Sequence, residues 1–164
     1  MTYYTVFVID LASRRVQILG STPHPNDLFV QPVARTLTAA EEGMVRSHRA
    51  LICDRDRCWS HAFRQILRTS GIRIVQTPFQ APNANAYAER VVRSIKDECL
   101  HRVIPFGERH LRRTLATSLA HYHRERNHQG LGHELIDREP SVAGGRIRRR
   151  QRLGGLLNYY VRAA

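Results

Sequence analysis

Three acidic residues stand where a carboxylate could take part in chemistry. Asp10 follows the apolar run Thr5–Ile9, Asp54 follows Ala50–Cys53, and Glu89 lies on the exposed side of a helical stretch 35 positions beyond Asp54. The end of a strand is where a metal-dependent nuclease or transferase keeps a catalytic acid, because carboxylate oxygens are the ligands that hard divalent cations prefer. Two of these acids also have a plainer reading. Asp10 sits in a short polar connection and can be a turn residue only. Glu89 has Arg93 at i+4 and Lys96 at i+7 on the same helical face, which suits exposed ion pairs.

The elements that must position these acids follow from periodicity. Tyr3–Ile9 and Arg15–Leu19 are β-branched and aromatic runs around a polar connection, a β-hairpin pattern. Thr22-Pro-His-Pro-Asn26 breaks the chain, and Phe29, Val33 and Leu37 then form one helix face. Ala50–Cys53 is an unbroken apolar run of the kind found in strands buried on both faces. Ser60 is placed to cap a helix carrying Phe63, Ile66 and Leu67 and closed by Gly71, and Ile72–Gln76 predicts a further strand. Thr77 to Asn83 holds two prolines without periodicity and reads as a loop. Helices are predicted from Asn85 to Cys99 (stripe Ala88, Val91, Val92, Ile95, Cys99) and from Glu108 to Tyr122 (Leu111, Leu115, Leu119). This order describes an α/β protein, a mixed sheet with helices on its faces. After Pro140 glycine and arginine dominate (GGRIRRRQRLGG), so residues 1–142 read as the domain and 143–164 as a basic C-terminal tail.

Composition points to a polyanionic partner. The 164 residues carry 26 Lys plus Arg against 14 Asp plus Glu, a formal charge of +12, with 42% hydrophobic residues arguing against wholesale disorder. Lys96 is the single lysine, so arginine supplies nearly all the charge, and its planar fork suits phosphates and bases. Nucleic acid is the expected partner. Cys53, Cys58 and Cys99 are odd in number and irregularly spaced, so no disulfide framework is read. Cys53-x4-Cys58 with His61 falls short of a four-ligand zinc site because Cys53 belongs to an apolar strand. No signal peptide or long apolar span is seen, and a cytoplasmic, nucleoid-associated protein with no membrane partner is expected.

The surroundings of two acids are specific. Asp54 heads Asp-Arg-Asp-Arg-Cys-Trp-Ser60, and Glu89 lies inside PNANAYAERVVRSIKDECL. These motifs resemble the integrase core of insertion-sequence transposases and retroviral-type integrases, and the resemblance continues through His128-Gln-Gly-Leu-Gly132 and Arg152-Leu-Gly-Gly155. It implies a ribonuclease-H-like fold with an Asp, Asp, Glu triad, in which Asp54 and Glu89 match the second and third acids as catalytic residues and metal ligands. It implies two Mg²⁺ (or Mn²⁺) ions, which about 4 Å apart activate the nucleophile and stabilise the leaving group of an in-line displacement. It implies phosphodiester cleavage and strand transfer on DNA (element ends and target) by a homo-oligomer. Arg90, Arg93 and Lys96 beside Glu89, and Arg146, Arg148, Arg149 and Arg150 in the basic segment, are the residues expected to grip DNA.

Asp10 does not complete the triad. In the family the first acid lies on the first strand, upstream of a segment resembling Tyr3 to Val16. Neighbouring antiparallel strands place the end of the second strand opposite the catalytic end, about 23 Å away for seven residues. The chain is therefore expected to begin after the strand that carries the first Asp, as a transposase truncated at its N-terminus with two unpaired strand edges. Two alternatives remain: a catalytically inactive DNA-binding remnant, and a ribonuclease-H-like nuclease that cuts without strand transfer.

Overall fold

The structure is a computed structural model that describes residues 1–39, 43–45, 47–79, 82–137 and 144–163. The chain forms two compact units, the first built from Met1–Asp10 and Val16–Glu89, the second from Leu11–Arg15 and Arg90–Ala164. Each expected element is present, within a residue or two at most ends.

In the first unit, β1 (Tyr4–Ile9) and β2 (Val16–Thr22) pair antiparallel, with a register shift between Val6 and Phe7. The broken segment that follows ends in a cap. Asn26 accepts a hydrogen bond from the Phe29 amide at 3.3 Å and starts α1 (Asp27–Thr38). Pro32 lies inside α1, which the apolar pattern alone does not reveal. Next, β3 (Ala50–Cys53) and β4 (Arg73–Gln76) pair in parallel, joined through α2 (His61–Thr69). Ser60 caps α2 by accepting from the Phe63 amide at 3.2 Å. Gly71 (φ +79°) takes the left-handed conformation that ends it, and the Ile72 amide returns to the Leu67 carbonyl at 3.0 Å.

One core closes over these elements: Val8 from β1, Val30, Val33, Ala34 and Leu37 from α1, Cys53 from β3, Phe63 and Leu67 from α2, with Val45 and Ile72. Although β1 and β3 share it, β1 pairs with β2 and β3 with β4, so the strands form separate two-stranded sheets. Among the described residues each two-stranded sheet keeps both of its outer edges unpaired. The strand Ala50–Cys53, read as buried on both faces, is buried on one. Leu51 and Ile74 pack against the core, whereas the cross-strand pair Ile52 and Val75 is 45% and 38% exposed. An unbroken apolar run does not record which face is covered.

In the second unit, α3 (Ala86–Glu98, whose first turn belongs to the first unit) buries Val91. α4 (Gly107–Arg124) buries Leu111, Thr114, Leu115, Ser118, His121 and Tyr122. Cys99 hydrogen-bonds Ser118, and burial raises its thiol pKa. The motif His128–Gly132 is tied to the end of α4. The His128 Nε2 donates to the Tyr122 carbonyl at 2.7 Å near the end of α4.

The basic segment departs most from its expected form. Instead of a tail, β5 (Arg146–Arg152) and β6 (Leu157–Ala163) form an antiparallel hairpin. Its turn runs through Leu153, Gly154 and Gly155 with φ of 50°, 67° and 94°, three successive left-handed residues that two glycines make accessible. β6 supplies the apolar alternation, with Leu157 4% exposed. Among the described residues no helix is long and apolar enough to cross a membrane.

Candidate active site and basic surface

Asp54 follows the last residue of β3 and is exposed. Its Oδ1 accepts from Trp59 Nε1 at 2.5 Å and from the Asp56 amide at 3.2 Å. The turn is stiffened around it. Asp56 Oδ1 accepts from the Cys58 amide at 2.8 Å, Arg55 Nε donates to the Thr77 carbonyl at 2.8 Å, and the Trp59 ring lies 4.8 Å from that of Phe63 in the core. Asp54 is therefore oriented through Trp59, while its Oδ2 receives no hydrogen bond among the described residues.

Asp10 lies at the other end of β3. Its Oδ1 is 3.5 Å from Nε2 of His48, which precedes the strand, while Asp54 follows it. The four residues of β3 between them span about 13 Å.

Glu89 occupies the first turn of α3, where the helix dipole favours a carboxylate. It is exposed and makes no ion pair among the described residues, so the plainer reading of an exposed salt-bridge residue is not seen. Arg90, Arg93 and Lys96 are exposed along the same helix, on sides other than that of buried Val91. Asp54 and Glu89 both belong to the first unit, and no three His, Cys, Asp or Glu side chains gather as a metal-binding group among the described residues. The two neighbouring thiols are both shifted upward. Burial, then the Asp54 charge, pushes Cys53 up to about 11. Burial, then hydrogen bonding to Asp56, pushes Cys58 up to about 12.

Arg146, Arg148, Arg149 and Arg150 are all exposed on β5. Arg152, the last arginine of that strand, faces inward. Its Nε lies 2.8 and 2.9 Å from the two oxygens of Glu125, and its Nη2 2.5 Å from one of them. Glu125 also binds Nδ1 of His121 at 2.8 Å. Burial raises the Glu125 pKa, but the Arg152 and His121 hydrogen bonds outweigh it and hold the carboxyl below its usual range. Neither Trp59 nor Glu125 is singled out by sequence pattern. Trp59 stands within the acid motif as the sole tryptophan, a signal that could have found it, while the Glu125–Arg152 contact joins residues 27 positions apart and has none.

Residues 70–134 match the family model of the integrase core domain. That segment includes Glu89 and His128–Gly132 but neither Asp54 nor the hairpin. No curated protein matches the chain. Among solved structures, the chain is similar to the catalytic core domain of BIV integrase, with a TM-score of 0.56 and 18% identity, over 77% of this chain and 80% of that one. At that identity the likeness is one of fold, and the fold is the ribonuclease-H-like α/β fold. The resemblance to an integrase core carried by the sequence motifs is thus found again, by an independent family match and by the fold.

Proposed function

We propose that this protein acts in DNA integration or transposition, with Asp54 and Glu89 as catalytic residues holding Mg²⁺ or Mn²⁺ for phosphodiester cleavage and strand transfer. The observation that carries the reading is Asp54 itself: an exposed strand-end carboxylate, oriented by Trp59, with one oxygen open, in an integrase-like fold. The donors suit the ion. Mg²⁺ takes hard oxygens, keeps several waters and is held by one or two carboxylates together with substrate phosphate. When bound, two such ions supply nucleophile activation and leaving-group stabilisation. The chain's own residues do the rest. Trp59 fixes the direction in which Asp54 points, and the first turn of α3 carries Glu89. Arg90, Arg93 and Lys96 contact the DNA backbone beside Glu89, and the β5 arginines hold a second stretch of DNA. Element ends and target would be the substrates, a homo-oligomer the working form and the nucleoid its place.

The test is Mn²⁺ binding followed by electron paramagnetic resonance, alongside nicking and joining assays on plasmid DNA. Asp54→Asn and Glu89→Gln should each weaken Mn²⁺ binding at least tenfold while leaving the melting temperature unchanged. Equal Mn²⁺ affinity in wild type and both variants refutes the ligand assignment. The arginine density of the hairpin favours a second reading, DNA binding without chemistry. Tight DNA retention with no Mn²⁺ site would select it, and nicking without joined products would select the nuclease.

A further inference from the structure

Residues 144–163 contain six arginines and no acid, lysine or histidine. Cross-strand partners in an antiparallel pair share a face, and the faces alternate along each strand. One face of the β5–β6 hairpin therefore carries the pairs Arg148 with Val161, Arg150 with Tyr159 and Arg152 with Leu157. The other carries Ile147 with Arg162, Arg149 with Tyr160 and Gln151 with Asn158. The first face is turned to α4: Leu157 is buried, Arg152 grips Glu125, and the Tyr159 ring lies 6.3 Å edge-on from His121. The second points away from it. Ile147 and Tyr160 on that face are 60% and 69% exposed.

The exposed face is not a generic basic surface. It combines forked arginines with carboxamides and two apolar side chains, without a single carboxylate. Arginine pairs bidentately with guanine, carboxamides pair with adenine, and apolar groups meet the thymine methyl, all in the major groove. The shape agrees. Two strands about 4.8 Å apart make a ribbon about 20 Å long, and the major groove, about 12 Å wide, admits a two-stranded ribbon. Asn158 Nδ2 donates to the Gly155 carbonyl at 2.9 Å and so braces the turn. Arg162 meets the Gly145 carbonyl only at the 3.5 Å limit of a hydrogen bond. Arg149, cross-strand from Tyr160, and Arg162, two residues along β6 on the same face, are the arginines this face presents.

We propose that the outward face of this hairpin is a sequence-reading ribbon for duplex DNA, with Arg149, Tyr160 and Arg162 at base edges in the major groove. This rests on DNA being the partner under the proposed function. It divides the arginines of the hairpin by role: Arg149 and Arg162 select sequence, whereas Arg146, Arg148 and Arg150 contribute charge.

The experiment is selection of bound duplexes from a library with a randomised 20-base-pair core, using the full chain as wild type, Arg149→Lys and Arg148→Lys. Lysine keeps the charge and removes the fork. Melting curves of all three should coincide. Wild type should enrich a motif containing guanine, discriminating about 5- to 150-fold at the base pair that Arg149 reads. Arg149→Lys should lose that position while total affinity stays within about threefold, and Arg148→Lys should keep the full motif. Duplex binding with no motif, or with the same motif in Arg149→Lys, overturns the ribbon and leaves DNA binding standing. Preference for single-stranded oligonucleotides also overturns it. Absence of any nucleic-acid binding overturns both it and the functional reading beneath it.

Discussion

Replacing Glu125 by glutamine should loosen the hairpin from α4. The wild-type carboxylate is only 6% exposed and serves two partners at once, with the Arg152 guanidinium on both oxygens and His121 Nδ1 at 2.8 Å. Glutamine keeps the shape but offers one acceptor, and its amide group must face a donor on one side or the other. Hydrogen bonds to charged groups are each worth about 1.5–3 kcal/mol net. Arg152 is 31% exposed, so water recovers part of its loss, which places the cost at roughly 2–3 kcal/mol. For a chain of this length that is a drop of about 4–12 °C in Tm. Differential scanning calorimetry measures it, and amide exchange at Leu157 and Tyr159 reports whether the loss is local to the hairpin. The pH dependence supplies a second check. Because the folded-state pKa of Glu125 is lowered, its contribution is present above the ordinary carboxylate pKa and is lost as pH falls through the lowered value. The gap between wild type and Glu125→Gln should therefore be full at pH 7 and close in strong acid. Equal melting at pH 7 with unchanged exchange at both amides refutes the claim that this carboxylate holds the hairpin.

Phe63→Ala, which empties a side chain only 1% exposed, should cost about 3–5 kcal/mol and be read directly in urea midpoints. His123 and His128 both have pKa values lowered from 6.5, chiefly by burial. The unfolded chain then binds more protons than the folded one, so stability should fall as pH drops below about 6.5, a limb that His123→Gln flattens in pH-dependent melting. Trp59→Phe removes the indole donor to Asp54 while keeping the packing on Phe63. It should weaken Mn²⁺ binding severalfold with a stability change near 1 kcal/mol, and unchanged Mn²⁺ affinity would show that Trp59 does not orient the acid. DNA affinity should fall steeply with salt, and changing Arg146, Arg148 and Arg150 together to glutamine should reduce the logarithmic slope by roughly 2–3; an unchanged slope means these side chains do not touch phosphate.

What could be read from the sequence was local. Ser60, Gly71 and the apolar spacing of Phe63 and Leu67 define α2 with no tertiary information, because capping and periodicity act within a few residues. Val91 and Leu111 mark α3 and α4 in the same way. The hairpin was hidden because five arginines in seven residues erase the alternation of β5, leaving only Leu157, Tyr159 and Val161 to signal a strand. Its attachment depends on Arg152 meeting Glu125, a contact that no local pattern encodes. Likewise, the run Ala50–Cys53 announces a strand but not that Ile52 faces outward, since coverage depends on what packs from elsewhere in the chain. For the candidate site, the motif around Asp54 indicated the acid but not its direction, which comes from an indole bond five residues on.

The attachment of the hairpin also has a mechanical side. Glu125 holds it at Arg152, beside the turn, while Arg146 lies at the opposite end of the strand. The ribbon is thus a lever fixed near one end, with an arm of about 20 Å. An angular play of about 10° at the base moves the tip by about 3.5 Å, one base-pair step of duplex DNA. If the ribbon reads bases as proposed, the accuracy with which an arginine far from the anchor addresses one base pair rather than its neighbour follows from how stiffly Glu125, Leu157 and Tyr159 hold the base.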